Sequence, residues 1–190
     1  MKKNILVIDA NPKSSSFCGS LGTAYIASCH SGSDVHYLSL NTMQFNPDLS
    51  EGYSSEQPLE PDLVEFQAKL QWAEHIVLFI PVWWGGLPAK FKGLIDRTFL
   101  SGFAFRYQPN KTIPDKLLKG RTAEVVLTLD TPPFYYRYFQ GDSVTKQLKH
   151  TILGFCGIKV VSMTYIGPII SSTTEQRAKW LKQIAKMAMK

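Results

Sequence analysis

The chain has 190 residues, 44% of them hydrophobic, and 21 Lys and Arg against 15 Asp and Glu, which give a formal net charge of +6. This length and composition are ordinary for one globular domain with a single core. No apolar stretch approaches the roughly 20 residues of a membrane-spanning helix. The apolar run near the amino terminus ends at Asp9. We therefore expect no membrane span and no signal peptide.

The cysteine, histidine and charge patterns exclude further classes. Cys18, Cys29 and Cys156 are widely spaced, so neither a disulfide framework nor a metal site is indicated, and a reducing cytoplasm is the expected compartment. The histidines show no i, i+4 pairing of the kind found in metal sites. The excess of basic residues falls after residue 66 and is scattered through predicted helices. A nucleic-acid partner, which requires a basic stripe with exposed aromatic residues, is therefore not expected.

Strands and helices are predicted to alternate along the whole chain. The predicted strands are Asn4–Asp9, Asp34–Leu40, Ile76–Val82, Ala123–Leu129 and Ile158–Tyr165. The predicted helices are Ser16–Cys29, Asp62–Glu74, Pro88–Leu100, Gly141–Phe155 and Thr173–Met189. This alternation predicts one α/β domain over residues 1–190, a doubly wound five-stranded parallel sheet of strand order 2-1-3-4-5. The long connections Asn41–Pro61 and Leu100–Arg121 are expected to cover a site or to pack on a partner.

A serine-rich loop follows the first predicted strand. Residues 10–20 read ANPKSSSFCGS and lead into a helix, whose free amides and dipole favour a phosphate. The loop has neither the P-loop motif nor the glycine motif of dinucleotide-binding domains. It therefore favours a flavin phosphate over a nucleoside triphosphate, although a serine that only caps the helix would produce the same pattern.

An aromatic turn follows the third predicted strand. Ile76–Val82 is a continuous apolar run, typical of a strand that is buried on both faces. Trp83, Trp84, Gly85 and Gly86 come next, and Pro88 is well placed to open a helix. Ligands of open α/β sheets bind beyond the carboxyl ends of strands. The turn therefore predicts a wall for a flat ligand or a subunit contact, with tryptophans that fill the core as the alternative.

Together these segments resemble the flavodoxin-like NAD(P)H:quinone oxidoreductases. The resemblance is carried by ANPKSSSF, by IPVWWGGLPAKFKGLIDRTFLSGFAF, by LTLDTPP and by QGDSVTKQLKHTILGFCGIKVV. It implies an enzyme that transfers a hydride from NADPH or NADH, through bound FMN or FAD, to a quinone or a similar flat acceptor. Two alternatives remain open. One is a flavin-binding electron carrier or regulatory subunit of a potassium-efflux system, and the other is an FMN-dependent reductase of azo dyes or nitroaromatic compounds.

The resemblance also implies which residues contact the flavin. Those around its phosphate or ribityl chain would be Asn11, Ser16, Phe17 and Cys18, with Gln67 nearby. Those along the isoalloxazine edge would be Pro81, Val82, Trp83, Trp84 and Gly85. A second flavin-binding turn would comprise Asp130, Thr131, Pro132 and Pro133, with Tyr138 beside the ring.

Some positions depart from the family pattern. Pro132 and Pro133 replace the glycines of many relatives, and proline donates no backbone hydrogen bond. Gln140 stands where fast quinone reductases often have histidine, and it cannot exchange a proton near pH 7. In the catalytic pair Tyr138 and Gln140, proton relay would then fall to Tyr138 or to solvent. Asn11 replaces a histidine of some relatives but can still bind a phosphate oxygen. Arg177 is expected either to meet an adenylate phosphate or to be solvated.

Aromatic residues also crowd the connection after the third predicted helix. Phe99, Phe103, Phe105 and Tyr107 provide more aromatic surface than a monomer normally leaves in water. They predict a two-fold homodimer with the active site at the subunit interface.

Overall fold

The computed structural model describes residues 3–109 and 111–189. Its strands are β1 Asn4–Asp9, β2 Asp34–Ser39, β3 His75–Pro81, β4 Phe105–Arg106, β5 Asp115–Lys116, β6 Thr122–Thr128 and β7 Lys159–Ile166. Its α-helices are α1 Phe17–Ala27, α2 Pro61–Trp72, α3 Ala89–Thr98, α4 Pro133–Tyr138, α5 Ser143–Lys146, α6 Leu153–Cys156 and α7 Thr174–Ala188. A π-helical segment, Gln147–Ile152, joins α5 to α6.

The main sheet has five parallel strands in the order β2-β1-β3-β6-β7, which confirms the predicted topology. Every residue of β3 is buried, as the continuous apolar run predicts for a central strand covered on both faces. On one face Leu21 of α1 and Ile184 of α7 pack with Val77. On the other face Leu70 of α2 and Leu94 of α3 pack in a second apolar cluster. In the described part of the chain no helix is long and apolar enough to cross a membrane.

Helix α4 and strands β4 and β5 were not predicted from the sequence. Helix α4 is only six residues long, begins with Pro133 and contains four aromatic residues, which have modest helix propensity. The short antiparallel pair of β4 and β5 lies within the connection that was expected to be a loop. The helix predicted over Gly141–Phe155 is present as α5, the π-helical segment and α6, so its hydrogen bonding changes register midway.

The long connection after β2 is fastened to α3 by Arg97. This side chain is 1% exposed. Its guanidinium donates to a carboxylate oxygen of Glu60 at 2.8 Å, to the carbonyl of Pro58 at 2.8 Å and to the carbonyl of Asn46. Burial alone would raise the pKa of Glu60, but hydrogen bonds from the Asn46 amide and from Arg97 outweigh it and lower the pKa. The loop therefore packs on its own domain through one buried cation.

Replacing Arg97 with Met should destabilise the protein by about 3 kcal/mol, because Glu60 and two carbonyls lose a buried partner. The matched control is Lys92→Met on the same helix, which removes the partly exposed ion pair with Asp96. That change should cost less than about 0.5 kcal/mol. Urea unfolding of both variants measures the difference, and equal midpoints would show that Arg97 does not hold the loop.

Candidate functional site

A small cavity of about 280 Å³ lies beyond the carboxyl ends of β1, β3 and β6. This is the predicted position, the switch point between β1 and β3 at which the strand order reverses. Eight of the predicted cofactor-binding residues line it: Asn11, Ser16, Phe17, Cys18, Pro81, Val82, Trp83 and Asp130. Sequence analysis missed Lys13, Thr128, Leu129, Ile169 and Ile170, which complete the lining. Ile169 and Ile170 follow β7, the last strand of the sheet. From the sequence, only the general rule that ligands bind beyond strand ends could have predicted that they line the cavity.

The amino terminus of α1 provides donors for an anion. Ser16 caps the helix, with its Oγ accepting from the Gly19 amide at 3.0 Å. Its carbonyl accepts from the Ser20 amide at 3.1 Å. Within residues 3–109 and 111–189, the amides of Phe17 and Cys18 have no hydrogen-bond acceptor. Two free amides at the positive end of a helix dipole are suited to a phosphate.

The loop before α1 is held by its own hydrogen bonds. The Asn11 amide donates to Oδ1 of Asp9 at 3.0 Å, and Oδ1 of Asn11 accepts from the Lys13 amide at 3.0 Å. Cys18 is buried, with its Sγ 3.2 Å from Oγ1 of Thr128. Burial raises the pKa of the Cys18 thiol to about 12. The thiol therefore stays neutral at pH 7 and serves in packing, since the thiolate is the reactive form.

A wider groove of about 760 Å³ continues from the small cavity, with which it shares Val82, Trp83, Leu129 and Asp130. Its other lining residues are Trp84, Gly85, Thr131, Tyr136 and Gln140. Tyr136 was not predicted. It is buried, and its hydroxyl accepts from the Val144 amide at 3.0 Å, which fixes α4 against α5. The two spaces together form one continuous crevice, with the start of α1 at one end and aromatic residues at the other.

The aromatic turn presents Trp84 at its tip. The amides and carbonyls of Trp83 and Gly86 bond to each other at 3.0 and 2.8 Å, closing a two-residue turn. Its central residues Trp84 and Gly85 have φ of 51° and 70°, the signs that a type I′ turn requires. Trp84 has a relative exposure of 106%, so it is not a core tryptophan. A bulky residue with positive φ is strained, and such strain is concentrated at functional sites.

Four predicted flavin contacts are not among the described residues that line the cavity or the groove. The side chain of Gln67 donates to the Thr98 carbonyl at 2.8 Å and lines a separate space with Arg97. Tyr138 is 73% exposed and lies against Arg137, because α4 directs Tyr136 toward the groove instead. Pro132 and Pro133 form the start of α4. The flavin contacts assigned to these four residues stay predictions.

Arg177 is exposed on α7, as the solvated alternative expects, but its guanidinium is held by hydrogen bonds. Its Nε donates to Oγ of Ser172 at 2.8 Å and its Nη2 donates to the Ile169 carbonyl at 3.2 Å. The guanidinium also lies 5.4 Å from the centre of the Phe17 ring. Arg177 therefore joins α7 to the loop that closes the small cavity.

Comparison with known proteins agrees with this geometry. A family model described as a flavodoxin-like fold matches residues 3–188. A Haemophilus influenzae protein named an uncharacterized NAD(P)H oxidoreductase is 30% identical over 175 residues, which cover 87% of this chain and 84% of that protein. Ribosyldihydronicotinamide dehydrogenase (quinone) of Rattus norvegicus is 27% identical over 215 residues, covering 96% and 90%. The crystal structure of a Streptococcus mutans protein has a TM-score of 0.83 at 28% identity and covers 100% and 99%.

Fold and site together define a flavodoxin-like protein with a phosphate-sized cavity and an aromatic groove at the switch point. The chain belongs to the flavodoxin-like family whose model it matches. The resemblance to NAD(P)H:quinone oxidoreductases that the sequence indicated is confirmed by these relatives.

Trp84→Asn should stabilise the protein by about 1 kcal/mol, because Asn tolerates positive φ and Asn-Gly is the favoured pair of a type I′ turn. Trp84 is fully exposed, so its removal leaves no cavity. Trp84→Ala is the control, since alanine removes the ring but gains nothing at positive φ. Thermal unfolding of the flavin-free protein should rank Asn above wild type, and a large loss in both variants would show that the ring is packed.

Proposed function

We propose that this protein is a flavin-dependent oxidoreductase that takes a hydride from NAD(P)H and passes it to a quinone or a similar flat acceptor. The observation that carries the proposal is the continuity of two features: free amides at α1 and an aromatic groove that shares Val82 and Trp83 with the cavity beside them. The related Haemophilus influenzae protein is named an NAD(P)H oxidoreductase, and the Rattus norvegicus protein a ribosyldihydronicotinamide dehydrogenase (quinone). Three free cysteines fit a reducing cytoplasm.

The protein's part in this reaction is position and charge. A bound flavin would supply the hydride chemistry. The Phe17 and Cys18 amides would hold its phosphate, and Trp83 and Trp84 would wall the ring and the flat substrate above it. Hydride transfer requires the donor and acceptor atoms to lie about 3 to 3.5 Å apart, which a narrow aromatic slot imposes. One slot for both substrates implies that the nicotinamide leaves before the acceptor enters, a ping-pong scheme.

Two side chains in the groove are suited to orient the acceptor. Gln140 lines the groove and offers an amide donor and acceptor, but no proton exchange near pH 7. The hydroxyl of Tyr136 accepts from the Val144 amide and so retains its own proton for donation. Tyr138 is directed to solvent in this chain. Proton delivery therefore falls to Tyr136 or to water that enters the open groove.

FMN is the flavin that we propose. A pyrophosphate linked to adenosine would need room and a counter-charge beyond the phosphate. Ile169 and Ile170 line that end of the cavity without offering a charge, and Arg177 beside them already donates to Ser172 and to the Ile169 carbonyl. An FMN-dependent NADH:quinone oxidoreductase of Bordetella avium is 35% identical over 101 residues, half of this chain.

Flavin-free protein should bind one FMN per chain, with its flavin fluorescence changed, and mass spectrometry of heat-released flavin should show FMN. Steady-state oxidation of NADPH or NADH should accelerate when menadione is added. Binding of FMN without this acceleration would mark an electron carrier. Binding of neither FMN nor FAD at tens of micromolar would overturn the proposed function.

Trp84→Asn tests whether the indole ring of Trp84 forms a wall beside the flavin. The variant keeps the turn and, as argued above, should be at least as stable as wild type. Because a stacking wall fixes both the ring and the approach of nicotinamide, single-turnover flavin reduction by NADPH should nevertheless slow about tenfold or more.

The aromatic connection after α3 is proposed to form a two-fold dimer. Phe105 packs edge-on against Phe155 at 5.2 Å and against Tyr107 at 5.5 Å, and Tyr107 remains 61% exposed. A second copy that covers this surface would remove it from water. Sedimentation equilibrium should give twice the 21.4 kDa chain mass at micromolar concentration. Tyr107→Glu should weaken the dimer, and a monomeric wild type would contradict it.

A further inference from the structure

A buried carboxyl group lies directly beneath the loop that we assign to the flavin phosphate. Asp9 is the last residue of β1 and is 3% exposed. Its Oδ1 accepts from the Asn11 amide at 3.0 Å, and its Oδ2 accepts from the Tyr37 hydroxyl at 3.5 Å. A Cβ on Gly19, in the first turn of α1, would lie only 3.0 Å from that second oxygen. Asp9 therefore contacts both the loop and the start of the helix.

No cation compensates this carboxyl group among the described residues. The groups that face it are the Tyr37 hydroxyl from β2, Cys18 and the Ser16 hydroxyl from the start of α1, and the Asn11 amide from the loop. Burial is the largest influence and raises the pKa of Asp9, although the hydrogen bonds from Asn11, Tyr37 and Ser16 oppose it. Cys18 and Tyr37 also have raised pKa values, so both stay neutral near pH 7.

A bound phosphate and an ionised Asp9 would both depend on the positive end of the α1 dipole. The free Phe17 and Cys18 amides and the dipole of α1 favour a phosphate in the cavity, and the same dipole favours an ionised carboxylate at Asp9. Because Asp9 is buried, its charge is poorly screened by water, and two negative charges at one helix end repel each other. A neutral carboxyl group keeps the hydrogen bond from Asn11 and removes the repulsion.

We propose that Asp9 couples flavin binding to a proton and sets the charge selectivity of the site: the loop holds a phosphorylated flavin most tightly when Asp9 is neutral. This inference rests on the proposed function, because it requires that the cavity take a flavin phosphate. Occupation of the cavity by the phosphate draws a proton onto Asp9. Riboflavin, which has no phosphate, binds without this linkage.

The test compares two ligands and two proteins across pH. The dissociation constants of FMN and riboflavin are measured by flavin fluorescence from pH 5 to pH 8.5, for wild type and for Asp9→Asn. Asparagine retains an oxygen that can accept from the Asn11 amide and never ionises. Since the FMN phosphate itself titrates near pH 6, each value is expressed as the ratio of wild type to variant, which cancels that titration.

For FMN this ratio should rise with pH across the range, to about tenfold at its alkaline end, because only wild type acquires the repelling charge. For riboflavin the ratio should stay near one throughout. A ratio for FMN that does not change with pH, or an equal change for riboflavin, overturns the inference while the proposed function stands. Failure of wild type to bind either flavin overturns both.

A second variant keeps the test independent of how Asp9→Asn folds. Tyr37→Phe removes a hydrogen bond that favours the ionised carboxylate, so Asp9 should remain neutral to a higher pH. The loss of FMN affinity should therefore begin at a higher pH in Tyr37→Phe than in wild type. A shift to lower pH, or no shift, counts against Asp9 as the linked group.

Discussion

The placement of β1 between β2 and β3 is the constraint on which the site depends. Leu6 of β1 pairs with His36 on one side and with Ile76 on the other, all in parallel register. Parallel strands need crossovers, and here α1, which follows β1, covers one face of the sheet while α3, which follows β3, covers the other. The connections that leave β1 and β3 therefore diverge at their carboxyl ends. The crevice between them receives both the start of α1 and the tryptophan turn.

The backbone is strained at the turn after β3, where the shape of the turn takes precedence over local stability. Trp84 occupies a backbone position that Asn or Gly would occupy at lower cost, and its ring touches solvent rather than core. The surrounding turn holds this conformation through the paired hydrogen bonds of Trp83 and Gly86. The exposed ring lies beside the continuous groove, which is the position expected of a wall for a flat ligand or of a subunit contact.

Electrostatics at the other end of the crevice depend on burial more than on charged pairs. The positive potential comes from helix amides, with Lys13 the basic residue in the cavity lining. Among the residues that the structure describes, Asp9 beneath the loop has no cation partner, whereas Glu60 is paired with Arg97. Both acids are fastened to backbone amides, yet their pKa values move in opposite directions. The difference is burial, which outweighs the hydrogen bonds to Asp9, whereas at the more exposed Glu60 the hydrogen bonds from the Asn46 amide and from Arg97 outweigh it.

The sequence by itself determined the order of the sheet and most of the site's lining, because both follow from local patterns. The apolar run of β3 predicts a buried central strand, and the serine-rich loop after β1 predicts a phosphate site. The two segments meet because the carboxyl ends of parallel strands lie at one edge of the sheet. Tertiary structure alone decided which tyrosine of α4 faces the groove. Tyr136 and Tyr138 are two residues apart on a short aromatic helix whose rotation is set by the bond from the Val144 amide to the Tyr136 hydroxyl. It also decided that Asp9 is buried beneath the loop, since that burial is produced by β2 and α1, whose contacts no local pattern contains.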